Sequence, residues 1–181
     1  MCMCSESRHR DREIFLMKEV RRFVDDRRSI YSLMDEILAV CPRCSRCCVI
    51  VPDKLPAGRA RGPCILDDRH VVCVHCGFTK DWRPLGAVSL PRRGALCRDI
   101  YFHLPLWLQT RCCGHVLWAY NVRHLQVIAD YVGANLREQH EDPVHGWRNG
   151  SLVNRLPGWI KAGNKRAAVL RSVERLKAKS R

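Results

Sequence analysis

Two Cys-x-x-Cys pairs, Cys41-Pro42-Arg43-Cys44 and Cys73-Val74-His75-Cys76, are the residues of this chain best suited to chemistry. That chemistry is metal binding. Together they supply four thiolates, the ligand number of a closed, tetrahedral, structural zinc site. In each pair the chain turns tightly, so that two sulfurs and nearby backbone N–H groups converge on one point. Gly77, directly after the second pair, relaxes its turn. Cys44-Ser45-Arg46-Cys47 is also a Cys-x-x-Cys and Cys48 follows directly. On spacing alone, either Cys47 or Cys48 can replace a member of the first pair. The bland alternative is that all of these pack as small hydrophobes.

Stepping outward, the pairs are separated by 28 residues, longer than the ~15–20 usual for this motif. A loop insertion would absorb the excess. Val49-Ile50-Val51 and Val71-Val72 predict short strands, and the Pro/Gly/Arg-rich segment from Pro56 to Pro63 predicts an exposed connection between them. A further strand should run through Phe78. Cys41-Pro-x-Cys44 followed by Cys73-x-x-Cys76-Gly77 resembles the transcription factor IIB-type zinc ribbon, and the chain as a whole is similar to bacterial proteins labelled by that ribbon. The resemblance implies a fold for about 40 residues and a link to nucleic acid or transcription. It implies no activity, because unrelated proteins share such ribbons.

Other reactive side chains make weaker patterns. Cys97, Cys112, Cys113 and His115 could hold a second metal, but adjacent cysteines rarely ligate one ion comfortably and no further Cys-x-x-Cys is present there. A Cys113–His115 nucleophile pair lacks a third, orienting group. Buried thiols in a tight turn are the favoured reading. His124 and His140 read as helix-surface or core histidines rather than ligands. No nucleophile–base pair, carboxylate pair or phosphate loop is recognisable, so the chain does not read as an enzyme.

Length and composition bound the rest. A chain of 181 residues suits one domain with helical additions, and a hydrophobic fraction of 46% argues against global disorder. The opening residues lack an apolar h-region and no apolar run reaches ~18 residues. Twelve cysteines therefore suggest reduced thiols and metal ligands in a cytoplasmic setting, with no membrane contact. The net charge is +14 and unevenly spread: residues 39–120 carry twelve basic groups against five acidic ones, and residues 155–181 nine against one. A zinc ion on four thiolates contributes about −2, which Arg43, Arg46 and Arg69 could offset. The remaining excess points to a polyanion, with generic solubility as the alternative.

Four further segments must position these groups. Apolar residues from Ile14 to Leu38 recur at helical spacing, interrupted at Asp25–Ser29, and predict an amphipathic N-terminal helix within residues 1–38. It would dock on the rest of the protein, or form a homodimer or protein-partner seam through residues 12–38. Residues 83–120 read as a linker and a hydrophobic β-hairpin, with strands over 99–109 and 116–120 around a Gly-containing turn. Trp107 and Trp118 would cover the ribbon or the helices, and Pro105 would lie at an edge. Asn121 predicts an N-cap for a helix reaching His140, with Leu125, Ile128, Tyr131, Val132 and Leu136 on its apolar face. A last helix should start near Pro157, burying Leu156, Trp159, Ile160, Ala167, Leu170 and Val173 and exposing Lys161, Lys165, Arg171, Arg175 and Lys179.

These elements predict a small α+β protein: a zinc ribbon over 39–82 extended by the hairpin, an N-terminal helix, and two C-terminal helices over 121–181. The expected function is a zinc-dependent nucleic-acid-binding or transcription-associated module, DNA or RNA, with low sequence specificity. Arg59 and Arg61 on the ribbon loop and the basic face of the last helix would grip phosphates. The alternative is a zinc-scaffolded protein-interaction adaptor.

Overall fold

A computed structural model of the chain describes residues 21–53, 65–84, 97–138 and 151–180. Its class is mixed α+β. Strands β2 (Ile37–Val40), β3 (Cys47–Pro52), β4 (Arg69–Val72) and β5 (Thr79–Trp82) form a four-stranded antiparallel sheet in chain order. The register pairs Ala39 with Cys48, Ile50 with Val71 and Val71 with Lys80. The strands expected at Val49–Val51 and Val71–Val72 are the two central ones, where β-branched side chains fit a half-buried pleat.

Strand β2 is buried on both faces, and that makes it the joint of the molecule. Leu38 enters a core shared with the helices, while Ile37 and Ala39 enter a second core with Ile50, Val71, Tyr101 and Leu106. Its free edge is satisfied by the next segment: Leu38 N–H donates to Tyr120 O (2.8 Å), Trp107 N–H to Leu38 O (2.9 Å) and Val40 N–H to Pro105 O (2.8 Å). Pro105, which has no N–H to give, contributes only its carbonyl there.

The hydrophobic hairpin is β6 (Leu108–Cys112) and β7 (His115–Ala119), closed by Cys113-Gly114. Both turn residues have positive φ, 53° and 82°, as a two-residue hairpin turn of matching twist requires. The first strand starts nine residues later than the expected Asp99. The buried Asp99 carboxylate accepts from the N–H groups of Tyr101, Phe102 and Leu104 at 2.6–2.8 Å. That local bonding competes with a strand and turns the chain.

The expected N-terminal helix is absent over residues 21–38. There the chain forms a short strand β1 (Arg22–Val24), a 3-10 turn (Ile30–Leu33) and β2; residues 12–20 lie outside the described residues. The cause is the polar interruption. Asp25 and Asp26 carboxylates accept from the N–H groups of Arg27 and Arg28, and Arg27 has φ 58°. Asx turns of this kind give the backbone an alternative to helix. Ser29 then caps the 3-10 turn. The stripe Ile30, Met34, Ile37 and Leu38 is thus divided between a turn and a strand.

Helix α1 (Val122–Gly133) begins at the expected Asn121, whose side chain accepts from His124 N–H and donates to Leu33 O and Glu36 O. It ends seven residues before His140, which lies outside the described residues. Leu136 instead belongs to β8 (Leu136–Glu138), paired in parallel with β1. The last expected helix is broken. Helix α2 (Gly158–Lys161) and a 3-10 turn (Gly163–Lys165) precede helix α3 (Arg166–Lys179). Glycine and asparagine at 163–164 are poor helix formers, and the break shifts the frame. The stripe that packs on α1 and the hairpin is Val169, Ser172, Val173 and Leu176, whereas Ala167 is exposed.

Candidate metal centre

The two Cys-x-x-Cys turns have the same backbone. Each follows the first strand of a hairpin, β2–β3 or β4–β5. In the first, Ser45 N–H donates to Cys41 O (2.9 Å) and Cys41 N–H to Arg46 O (2.8 Å). In the second, Gly77 N–H donates to Cys73 O (2.9 Å) and Cys73 N–H to Phe78 O (2.8 Å). The fifth residue of each turn is left-handed, Ser45 with φ 60° and Gly77 with φ 68°. The freedom expected of Gly77 is therefore used, and serine takes the same strain in the first turn. This equivalence is invisible in sequence because only the cysteines are shared.

Because β2–β3 and β4–β5 are neighbouring hairpins, their turns face each other. The sulfurs of Cys41, Cys44, Cys73 and Cys76 all lie within 4.8 Å of one another. Cys41 Sγ is 3.6 Å from Cys76 Sγ, and Cys44 Sγ is 3.5 Å from Cys73 Sγ. A tetrahedral ion with metal–sulfur bonds of ~2.3 Å has sulfurs about 3.8 Å apart. The donor set and its spacing thus fit one metal ion. Among the described residues no other group of three or more potential ligands converges in this way.

Cys47 and Cys48 stand outside the cluster. Their thiols point to backbone carbonyls, Cys47 Sγ to Cys48 O at 3.8 Å and Cys48 Sγ to Ala39 O at 3.4 Å. Burial pushes them up to about 11 and about 12, so both stay protonated. Within the cluster, Cys41 and Cys76 move in opposite directions. Burial raises Cys41, but N–H groups of Cys44 and Arg43 and the neighbouring Cys73 and Cys76 thiols more than offset it, and its pKa falls to about 7. Cys76, desolvated and hydrogen-bonded to the same thiols, is pushed up to about 12. Of these two, Cys41 gives up its proton more readily, and a cation would favour the thiolate form of its ligands.

Arg43 donates from its guanidinium to Cys76 O at 3.3 Å and, like Arg46, is exposed beside the cluster. Arg69 plays another part. It is fully buried, donates to Met34 O at 2.6 Å and lies 4.7 Å from the Tyr101 ring centre, so it braces the second core.

The remaining sequence candidates are dispersed. Cys112 is buried, but Cys113 is exposed at the hairpin tip rather than packed. His115 stacks on Trp159 with ring centres 4.9 Å apart. Arg59 and Arg61 lie outside the described residues. Of the last-helix cations, Lys161 donates to Asn154 O (2.8 Å) and Lys179 donates to Trp107 O (2.8 Å) while sitting 3.9 Å from that ring centre. Arg171 and Arg175 instead line a groove of about 820 Å³ between the hairpin and α3. Across it lies Arg111 on β6, which sequence reasoning did not single out because its relation to α3 is purely tertiary. Lys165 sits near the hairpin end of the same region, where it and Arg171 act electrostatically on Cys113. No helix among the described residues is long and apolar enough to cross a membrane. No protein-family model, curated protein or solved structure matches the chain.

Proposed function

We propose that the chain is a zinc-stabilised, nucleic-acid-binding or transcription-associated module of low sequence specificity, its cysteine-bearing sheet being a zinc ribbon of the transcription factor IIB type. The tetrahedral set of soft sulfur donors favours zinc over oxygen-seeking cations. The observation that carries the function is the groove between β6 and α3. Three guanidiniums, Arg111, Arg171 and Arg175, line it from two elements, and none forms an ion pair with a carboxylate among the described residues. The one acid beside them, Glu174, is paired with Lys177 at 2.9 Å. Planar, always-charged forks of this kind suit phosphate oxygens.

The test is a salt titration with nonspecific duplex and single-stranded probes. Reversing Arg111, Arg171 and Arg175 to glutamate should leave folding intact, since all three are exposed. It should flatten the slope of log affinity against log salt by about 0.9 per lost phosphate contact on duplex DNA and ~0.7 on single strands. Arg59→Ala and Arg61→Ala should add a smaller step. Equal affinity of parent and variant at every salt concentration would remove the nucleic-acid reading. The protein-adaptor reading would then lead, favoured by Val74, which is 84% exposed at the tip of the second cysteine turn and offers a partner an apolar knob.

A further inference from the structure

A second site lies away from the metal cluster, where β7, α1, α2 and the segment after residue 151 meet. It is a pocket of about 190 Å³ whose walls are apolar, with Ile30, Val116, Trp118, Ile128, Leu152 and Ile160 among them. Two polar side chains line it, His124 and Arg155. The alternation of β7 explains how the pocket arises. Leu117 and Ala119 point into the helical core, which leaves Val116 and Trp118 on the opposite face, only partly buried.

His124 is the unusual member. It is 2% exposed, and its Nδ1 accepts from the Tyr120 N–H at 3.3 Å. An accepting Nδ1 fixes the neutral tautomer with the proton on Nε2. That Nε2–H has no hydrogen-bond partner among the described residues; the ring's other contacts are edge-on or tilted against Trp118 and Tyr120. The Nε2–H is not sealed in: it is not one of the buried, unpartnered polar atoms and is open to the pocket that His124 lines. Arg155, by contrast, is exposed, and its guanidinium makes no ion pair among the described residues. An apolar chamber lined by one neutral donor and one cation matches a ligand with an apolar body and an anionic head.

We propose that this pocket binds a small apolar carboxylate of about the size of benzoate, its carboxylate accepting hydrogen bonds from His124 Nε2–H and the Arg155 guanidinium. Size sets the class. A dry apolar cavity of ~150 Å³ takes benzene, so this pocket has room for one ring or a short branched chain and little more. The carboxylate accepts from the His124 donor and pairs with a cation on the same pocket lining, which a hydrocarbon cannot do.

The experiment is titration of the zinc-loaded full chain with benzoate and with toluene, followed by tryptophan fluorescence and by the NMR signals of Trp118, His124 and Ile128. Benzoate should saturate these signals and bind at least about tenfold more tightly than toluene. Arg155→Gln, an exposed substitution that leaves the fold alone, should abolish that preference. His124→Asn keeps an acceptor toward Tyr120 N–H, draws the donor back from the Nε2 position and should weaken benzoate by a similar factor. Val116→Phe should fill the pocket and block both probes. No saturation below about 10 mM in a folded parent protein would overturn the proposal. Toluene binding as tightly as benzoate, or benzoate affinity unchanged in Arg155→Gln, would overturn it equally. These outcomes do not depend on the groove at β6 and α3, and so leave the nucleic-acid reading to its own test.

Discussion

At the scale of single residues, the cysteine turns depend as much on backbone conformation as on sulfur. Gly77 sits at φ 68° with open space where a Cβ would be, so Gly77→Ala carries no clash and only the left-handed penalty. Thermal or urea unfolding should show a loss of about 1–2 kcal/mol, with metal content retained. His124 gives a second residue-scale prediction. Burial lowers its pKa from 6.5 to about 4. The unfolded chain therefore binds the proton more readily than the folded one between those values. Its contribution to stability is intact above about pH 6.5 and is lost as pH falls toward 4, by about 3 kcal/mol in all. An NMR titration of the histidine rings should find His124 still neutral at pH 5.5.

At the scale of elements, the sequence was legible where one local signal decides the outcome and misleading where two compete. The Asn121 cap, the Cys113-Gly114 hairpin turn and the central strands β3 and β4 each follow from a single strong preference. The segment before Cys41 does not. Its apolar spacing fits a helix, but Asp25 and Asp26 bond their own backbone, and β2 is recruited as the edge partner of residues that lie far away in sequence. The last helix is interrupted at Gly163-Asn164, two poor helix formers, yet of its expected apolar side only Ala167 is exposed: Leu156, Ile160 and Val173 are buried, and Trp159 and Leu170 pack against the same core. These corrections change what deletion of residues 1–38 should do. The deleted stretch supplies Leu33, Met34 and Ile37, all nearly or fully inaccessible to solvent, and the first residues of β2. Removing it should expose both cores, and light scattering should find aggregates. A soluble, folded monomer in place of a parent dimer would instead restore the idea of a dispensable helical seam.

At the scale of the whole molecule, two cores share one strand. The four-cysteine sheet and the helical half meet at β2, so the cysteine turns are continuous with the interior of the protein rather than a separate appendage. Cys41 directly follows β2, and Cys41 and Cys73 are themselves core residues. The candidate ligands were readable from spacing because a cysteine turn is a local motif. The groove of Arg111, Arg171 and Arg175 and the His124 pocket were not, because each is made by elements that only tertiary packing brings together. The proposed zinc site therefore carries a strong claim: the metal's binding energy would be part of the folding energy of both cores. The most direct test is zinc content and unfolding measured together on protein purified without chelator, before and after a zinc chelator is added. The account predicts one zinc per chain, and removal that melts the sheet and the helices in a single transition. Protein that contains no zinc, or that keeps its melting behaviour after the metal is stripped, would contradict it.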